Sequence, residues 1–217
     1  MESSFLKVIT RGIQATAFYK ARDILNLETI ELDTVVFPKD VAQRVIAEKR
    51  GENVLEFINV WIDSFKFAWG RQRTPTARRG LYGNYLDDTK LDITEFKAVP
   101  VDLNYNVWYW SKDYDKILKL VERIMLWQHQ NPRLEILVNE LYPIEFYMSL
   151  SDVVDESPVE RMFDKGLYFV VKQSIKLEGW VFDQFSLKTI KKIIVRVWND
   201  IIPSELLFEE VVEFKIV

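Results

Sequence analysis

The sequence predicts an α+β fold: a mostly antiparallel β-sheet with two or three helices packed on one face, plus N- and C-terminal extensions. Two patterns and one bulk property predict it. Period-two runs of apolar and aromatic residues recur along the chain and give about eight strand candidates, while only two or three stretches carry helical spacing. The 217 residues are 48% hydrophobic and 14% aromatic, with only 7 Gly and 7 Pro, which suits one substantial core and leaves little material for a long flexible linker. The expected division is an N-terminal arm or helix over residues 1–28, one α+β domain over 29–200, and a C-terminal strand or arm over 201–217.

Taken in order, Phe5, Leu6, Ile9, Ile13 and Phe18 mark residues 5–27 as an amphipathic helix or an arm that docks on a neighbour. Lys7, Arg11, Lys20, Arg22 and Asp23 interrupt that run, so it is neither a secretory core nor a membrane span, and a soluble protein is expected. Residues 29–36 alternate Ile30, Leu32, Thr34 and Val36 against Thr29, Glu31, Asp33 and Val35 and read as a strand. Pro38 suits a first helical turn, and Val41, Val45 and Ile46 give a short helix that stops at Gly51. Residues 54–69 form a long aromatic strand, bent near Asp63-Ser64, and the segment from Gly70 to Gly80 is a loop or hairpin tip bearing Arg71, Arg73, Arg78 and Arg79.

Residues 99–132 are the most strongly patterned part of the chain. Leu103, Tyr105, Val107 and Tyr109 fall on one strand face, and Asp102, Asn104, Asn106, Trp108 and Trp110 on the other. Ser111 is placed to cap a helix beginning near Lys112, with Asp113 and Asp115 at its positive end. Tyr114, Ile117, Leu118, Val121, Ile124, Met125 and Gln128 define its stripe, widened by Leu120 and Trp127, and Asn131-Pro132 ends it. Beyond it, residues 134–138, 144–150, 166–176 and 190–198 read as strands, 151–158 as an acidic loop, and 206–217 as an apolar terminal strand that should pair with a sheet or a neighbouring subunit.

The groups on which enzymes commonly depend are scarce. There is no cysteine, and His129 is the only histidine, so a catalytic triad or multi-histidine metal site within one chain is excluded. His129 is expected to cap helix carbonyls. Asp87-Asp88 and Glu209-Glu210 are adjacent acids without the separation that paired-carboxylate chemistry needs, and phosphate-cradle and nucleophile-elbow motifs are missing. The expectation is no catalytic residue, no bound cofactor and no metal. A net charge of −4 gives no general attraction for nucleic acid, although the arginine loop offers a local basic patch. That loop suits a partner's acidic surface or, as the alternative, nucleic acid. Trp108 and Trp110, opposite the apolar face of their strand, suit either a partner contact or a second core.

The run Val99-Pro100-Val101-Asp102-Leu103-Asn104-Tyr105, followed by the helix Lys116 to Ile124 and then Pro132, resembles the neck proteins of tailed bacteriophages. The group in question is the tail terminators and proximal sheath stabilisers of contractile tails. Phe37-Pro38 and the aromatic strand from Phe57 to Trp61 fit it as well, so the resemblance covers residues 29–150. It implies a structural virion protein, not an enzyme: a homo-hexameric ring that ends the tail tube and sheath and joins the tail to the head connector. Its partners would be other copies of itself and the tube, sheath and connector proteins. It would sit in the virion neck after assembly in the host cytoplasm, make no membrane contact and meet DNA only through the ring lumen. Such a ring needs two different patches per subunit. The sequence offers Arg71, Arg73, Arg78 and Arg79 against an acidic C-terminal segment holding Glu205, Glu209, Glu210, Glu213 and Lys215, with Trp108 and Trp110 as further interface residues.

Overall fold

The computed structural model describes residues 5–28, 34–36, 38–39, 56–68, 70, 98–128, 133–138, 142–157, 168–182, 192–199 and 205–213. Their elements are α1 (Phe5–Leu25), β1 (Thr34–Val35), β2 (Glu56–Phe67), β3 (Ala98–Ser111), α2 (Tyr114–Gln128), β4 (Arg133–Val138), β5 (Tyr142–Asp155), β6 (Phe169–Phe182), β7 (Lys192–Asn199) and β8 (Glu205–Glu213). The strands form one sheet in the order β1-β2-β3-β6-β5-β4-β7-β8, antiparallel throughout except for the short parallel β1–β2 pair. This is the α+β class that the alternating pattern predicts.

The sheet is centred on β3 and β6, which pair without interruption from Ala98↔Phe182 to Ser111↔Phe169. Their alternation separates two faces. Leu103, Tyr105, Val107 and Tyr109, with Ile58 and Val60 of β2 and Ile175 and Leu177 of β6, turn to the main core and are buried. The bend expected near Asp63-Ser64 is a register shift between Ile62 and Ser64, where an extra residue breaks the β2–β3 ladder.

Both α1 and α2 lie over the face that carries this core. Helix α1 is not an arm: Val8, Ile9, Ile13, Ala17, Phe18, Ala21 and Leu25 join the same core as the strands. Gly12 lets α1 approach closely, since a Cβ there would run into the Leu134 side chain. Thr10 Oγ1 lies 3.0 Å from the Tyr105 hydroxyl, and Arg11 Nε donates to Glu210 of β8 at 2.7 Å. The helix ends on Asn26 in the left-handed conformation (φ 53°), with the N–H of buried Leu27 returning to the carbonyl of Arg22 at 2.9 Å. Asparagine tolerates that conformation better than most residues.

Several expectations are corrected. The cap of α2 is Asp113 rather than Ser111: Asp113 Oδ1 accepts from the N–H of Asp115 at 2.9 Å, while β3 continues through buried Ser111, which accepts from the N–H of Asp113. The helix therefore starts at Tyr114. The stripe that α2 buries is Ile117, Leu120, Ile124 and Trp127, whereas Tyr114, Leu118 and Met125 are exposed. The acidic loop over 151–158 is mostly strand: β5 runs to Asp155 past a register shift between Leu150 and Val153, because Val153 and Val154 pair with Gln173 and Lys172 of β6. The described part of the C-terminal segment does pair with the sheet, as β8 (Glu205–Glu213) against β7. The helix expected at 38–51 beyond Lys39, the arginine loop from Arg71 on, Asp87, Asp88, His129, Asn131-Pro132 and Lys215 lie outside the described residues.

Candidate assembly interface

The sheet face away from the helices is largely polar, and its charges are matched along and across its strands. Lys176 meets Glu178 of its own strand at 2.7 Å and Asp102 of β3 at 3.8 Å, Arg133 meets Glu145 at 2.5 Å, and Arg196 meets Glu209 at 2.6 Å. Uncharged groups continue the ladder: Asn106 donates to Asp63 and accepts from Ser174, Asn104 donates to Ser64, and Trp198 donates to Glu135 at 2.8 Å. Cross-strand pairing of opposite charges stabilises such a face without giving it a net sign. Nothing in this described surface singles out a polyanion.

Trp108 and Trp110 lie on the same face but at its apolar end. They are only 6% and 4% exposed, packed with Phe57 and Val170 and bordered by Trp61 and Tyr168. Phe57 stacks on Trp110 with ring centres 5.1 Å apart. Of the two roles weighed for this pair, the second core is the one their burial matches, since their rings meet other residues of this chain. Trp108 Nε1 donates to Glu156 at 3.1 Å, and Glu156 also holds Lys39 and lies 4.0 Å from Lys172. Burial alone would raise the Glu156 carboxyl, but the hydrogen bonds from Lys39 and Trp108 and the charges of Lys39 and Lys172 outweigh it and leave its pKa lowered.

Glu205, Glu209, Glu210 and Glu213 of the acidic C-terminal segment are placed at one end of the sheet, in β8. Two of its glutamates already have partners in the chain: Glu209 pairs with Arg196 and Glu210 with Arg11. A neighbour's arginines would compete with those bonds, so a contact here draws less on charge than the sequence suggests. Glu213 stands opposite Lys192 in the β7–β8 register. Arg71, Arg73, Arg78 and Arg79 follow β2 in sequence, and β2 belongs to the opposite end of the sheet.

The two ends share another property. Short β1 covers β2 only at Ile58 and Asn59, and among the described residues no strand pairs with the outer side of β2 beyond them or with the outer side of β8. Large apolar side chains are exposed on both strands: Phe65 (63%) and Phe67 (53%) on β2, and Leu206 (42%) and Val211 (46%) on β8. Soluble proteins usually blunt open edges with charge or cover them, so an edge that shows apolar side chains is a candidate contact.

A buried lysine is the group that the sequence pattern concealed. Lys20 on α1 is 1% exposed, donates to Gln173 Oε1 at 3.3 Å and lies 4.8 Å from the centre of the Trp127 ring. The Tyr109 hydroxyl donates to the same oxygen at 3.2 Å, and Gln173 Nε2 is buried without a partner. Desolvation pushes the Lys20 ammonium down to about 7 and raises the Tyr109 phenol strongly. Its position was visible as a cation in register with Ile13 and Ala17, but lysines at such positions often reach out to water along their stems.

Among the described residues, no group of three or more histidine, aspartate or glutamate side chains is arranged to hold a metal ion, and no helix is long and apolar enough to cross a membrane. No family model matches the chain, and no curated protein matches it closely enough to count as a relative.

Proposed function

We propose that the chain is a structural ring subunit of the phage-neck type, which ends the tail tube and sheath and joins them to the head connector. One observation supports this above the others: among the described residues no strand covers the outer side of β8 or of β2 beyond its short pairing with β1, and both strands expose apolar side chains. Two different patches on opposite ends of one subunit are what a head-to-tail contact requires, and repeated around an axis such a contact closes a ring. The strand and helix carrying the family resemblance, β3 and α2, sit in the middle of this sheet and over its core, where they would hold the two ends at a fixed angle.

Single charge insertions test this. Phe65→Lys should block the β2 end and Val211→Lys the β8 end, each leaving the fold intact because both side chains are exposed. Either variant alone should be monomeric by light scattering. An equimolar mixture should form dimers and nothing larger, since each variant keeps one working end. Variants with the same size distribution as the parent chain would overturn the head-to-tail contact.

A further inference from the structure

One patch of the core holds more hydrogen-bond donors than acceptors. Lys20 on α1, Tyr109 on β3 and Gln173 on β6 are each 1% exposed or less and meet between the helix and the sheet. Lys20 Nζ at 3.3 Å and the Tyr109 hydroxyl at 3.2 Å both donate to Gln173 Oε1. Two donors fill the lone pairs of that oxygen and fix which end of the amide is which. The other end, Nε2, carries two buried N–H groups with no acceptor. An ammonium has three N–H bonds, and among the described residues Lys20 uses one.

Charge is unmatched at the same place. Buried lysines are normally paired, yet among the described residues no carboxylate pairs with Lys20. The charged and titratable groups around it are Tyr109 of β3, Arg123 of α2 and Asp23 of α1. Arg123 Nη1 donates to the Lys20 carbonyl at 3.2 Å and adds a second positive charge. Asp23, one turn along α1, is exposed and engaged by Arg22 at 3.0 Å and Arg123 at 3.9 Å. From β6 comes only the neutral Gln173 amide, and from α2 the Trp127 ring, 4.8 Å from Lys20 Nζ.

The spare donors are close enough to share one acceptor. The oxygen and nitrogen of an amide lie about 2.3 Å apart, so Gln173 Nε2 is at most about 5.6 Å from Lys20 Nζ, and one atom between them reaches both. A water molecule there answers the donors and leaves the charge unmatched, whereas an anion answers both. Close packing restricts the anion to a small one. We propose that Lys20 and Gln173 form an internal site for a small monovalent anion of chloride size, with Tyr109 as the positioning residue that holds the amide N–H groups toward it. Burial pushes Lys20 down to about 7, so the anion is held where the ammonium is present and released as rising pH leaves the neutral amine. The site is separate from the sheet ends, so it stands whether or not the chain closes into a ring.

Urea unfolding of the full chain in potassium chloride, against potassium gluconate at equal ionic strength, tests this, because an anion bound by the folded state alone stabilises it by mass action. At about pH 6.5, each tenfold rise in chloride above its dissociation constant should raise the folding constant about tenfold. At about pH 9.5, where the folded amine is neutral, the response should be lost. Lys20→Met removes the charge and Gln173→Glu builds a carboxylate in beside it; both should lose the chloride response while the circular dichroism stays native. In crystals soaked in bromide, an anomalous peak should lie between Lys20 Nζ and Gln173 Nε2. The proposal is overturned if chloride and gluconate act alike on the parent chain, if either variant keeps the response, or if the response is the same at both pH values. Density for water alone at the site in the bromide crystals would also overturn it.

Discussion

Replacing Lys20 with methionine should make the protein more stable at neutral pH and flatten its pH response. The side chain is fully buried and among the described residues its only polar contact is Gln173 Oε1, which keeps the Tyr109 hydroxyl as a donor when the lysine is gone. The substitution is close to isosteric and orphans no acceptor. Burial lowers the Lys20 pKa from 10.5 to about 7, so between those values the unfolded chain holds one more proton than the folded one. Stability therefore rises with pH across that window, with a limiting slope of about 1.4 kcal/mol per pH unit. Below about pH 7 both states are protonated and the full penalty persists. Urea unfolding at about pH 7.5 and 9.5 should thus show the parent chain gaining roughly 2–3 kcal/mol, with Lys20→Met lacking that increment and more stable than the parent at the lower pH by roughly 4 kcal/mol, since the penalty runs on to the unfolded pKa. Staying below about pH 10 avoids the Tyr105 and Tyr109 phenols, whose raised pKa values lower stability as the unfolded chain begins to ionise. Equal slopes for the two proteins would refute the claim that a buried, unpaired ammonium is held in the core.

Other perturbations follow from particular contacts. A methyl group at Gly179 would occupy the space filled by the buried Phe146 ring, so Gly179→Ala should cost about 1–3 kcal/mol in urea unfolding, and an unchanged midpoint would contradict that packing. Asp113→Ala removes the α2 cap and should cost about 1 kcal/mol, whereas Ser111→Ala, outside the cap position, should leave α2 helicity by circular dichroism unchanged. Because the Glu156 pKa is lowered, its stabilising contribution is present above its unfolded value and lost as the pH falls through the folded one. Glu156→Gln should therefore reduce the acid sensitivity of Trp108-region fluorescence, and an unaltered acid titration would argue against that hydrogen bond.

Much of the sheet was legible because its signal is local. The period-two faces of β3 and the break at Asp63-Ser64 depend on residues close in sequence, and both are present in the fold. Three features depend on what lies across the sheet or between the helices. Val153 and Val154 extend β5 through an acidic segment because β6 offers them partners. The one broad stripe read on α2 divides in two because α1 and the sheet cover only the side bearing Ile117, Leu120, Ile124 and Trp127. Lys20 is buried rather than reaching to water because Gln173, Tyr109 and Trp127 enclose its end. The candidate interface was legible only in outline. Composition located acidic residues near the C terminus, but the ion pairs that occupy Glu209 and Glu210 arise from Arg196 of β7 and Arg11 of α1.

Negative-stain imaging of the purified full chain, with its mass in solution measured on the same sample, addresses ring formation most directly. The proposed function predicts closed rings of uniform size, with six copies as the resemblance implies, that dissociate when Phe65→Lys or Val211→Lys is introduced. A chain that stays monomeric at every concentration, and binds DNA with a salt-dependent affinity lost on replacing Arg71, Arg73, Arg78 and Arg79, would contradict it.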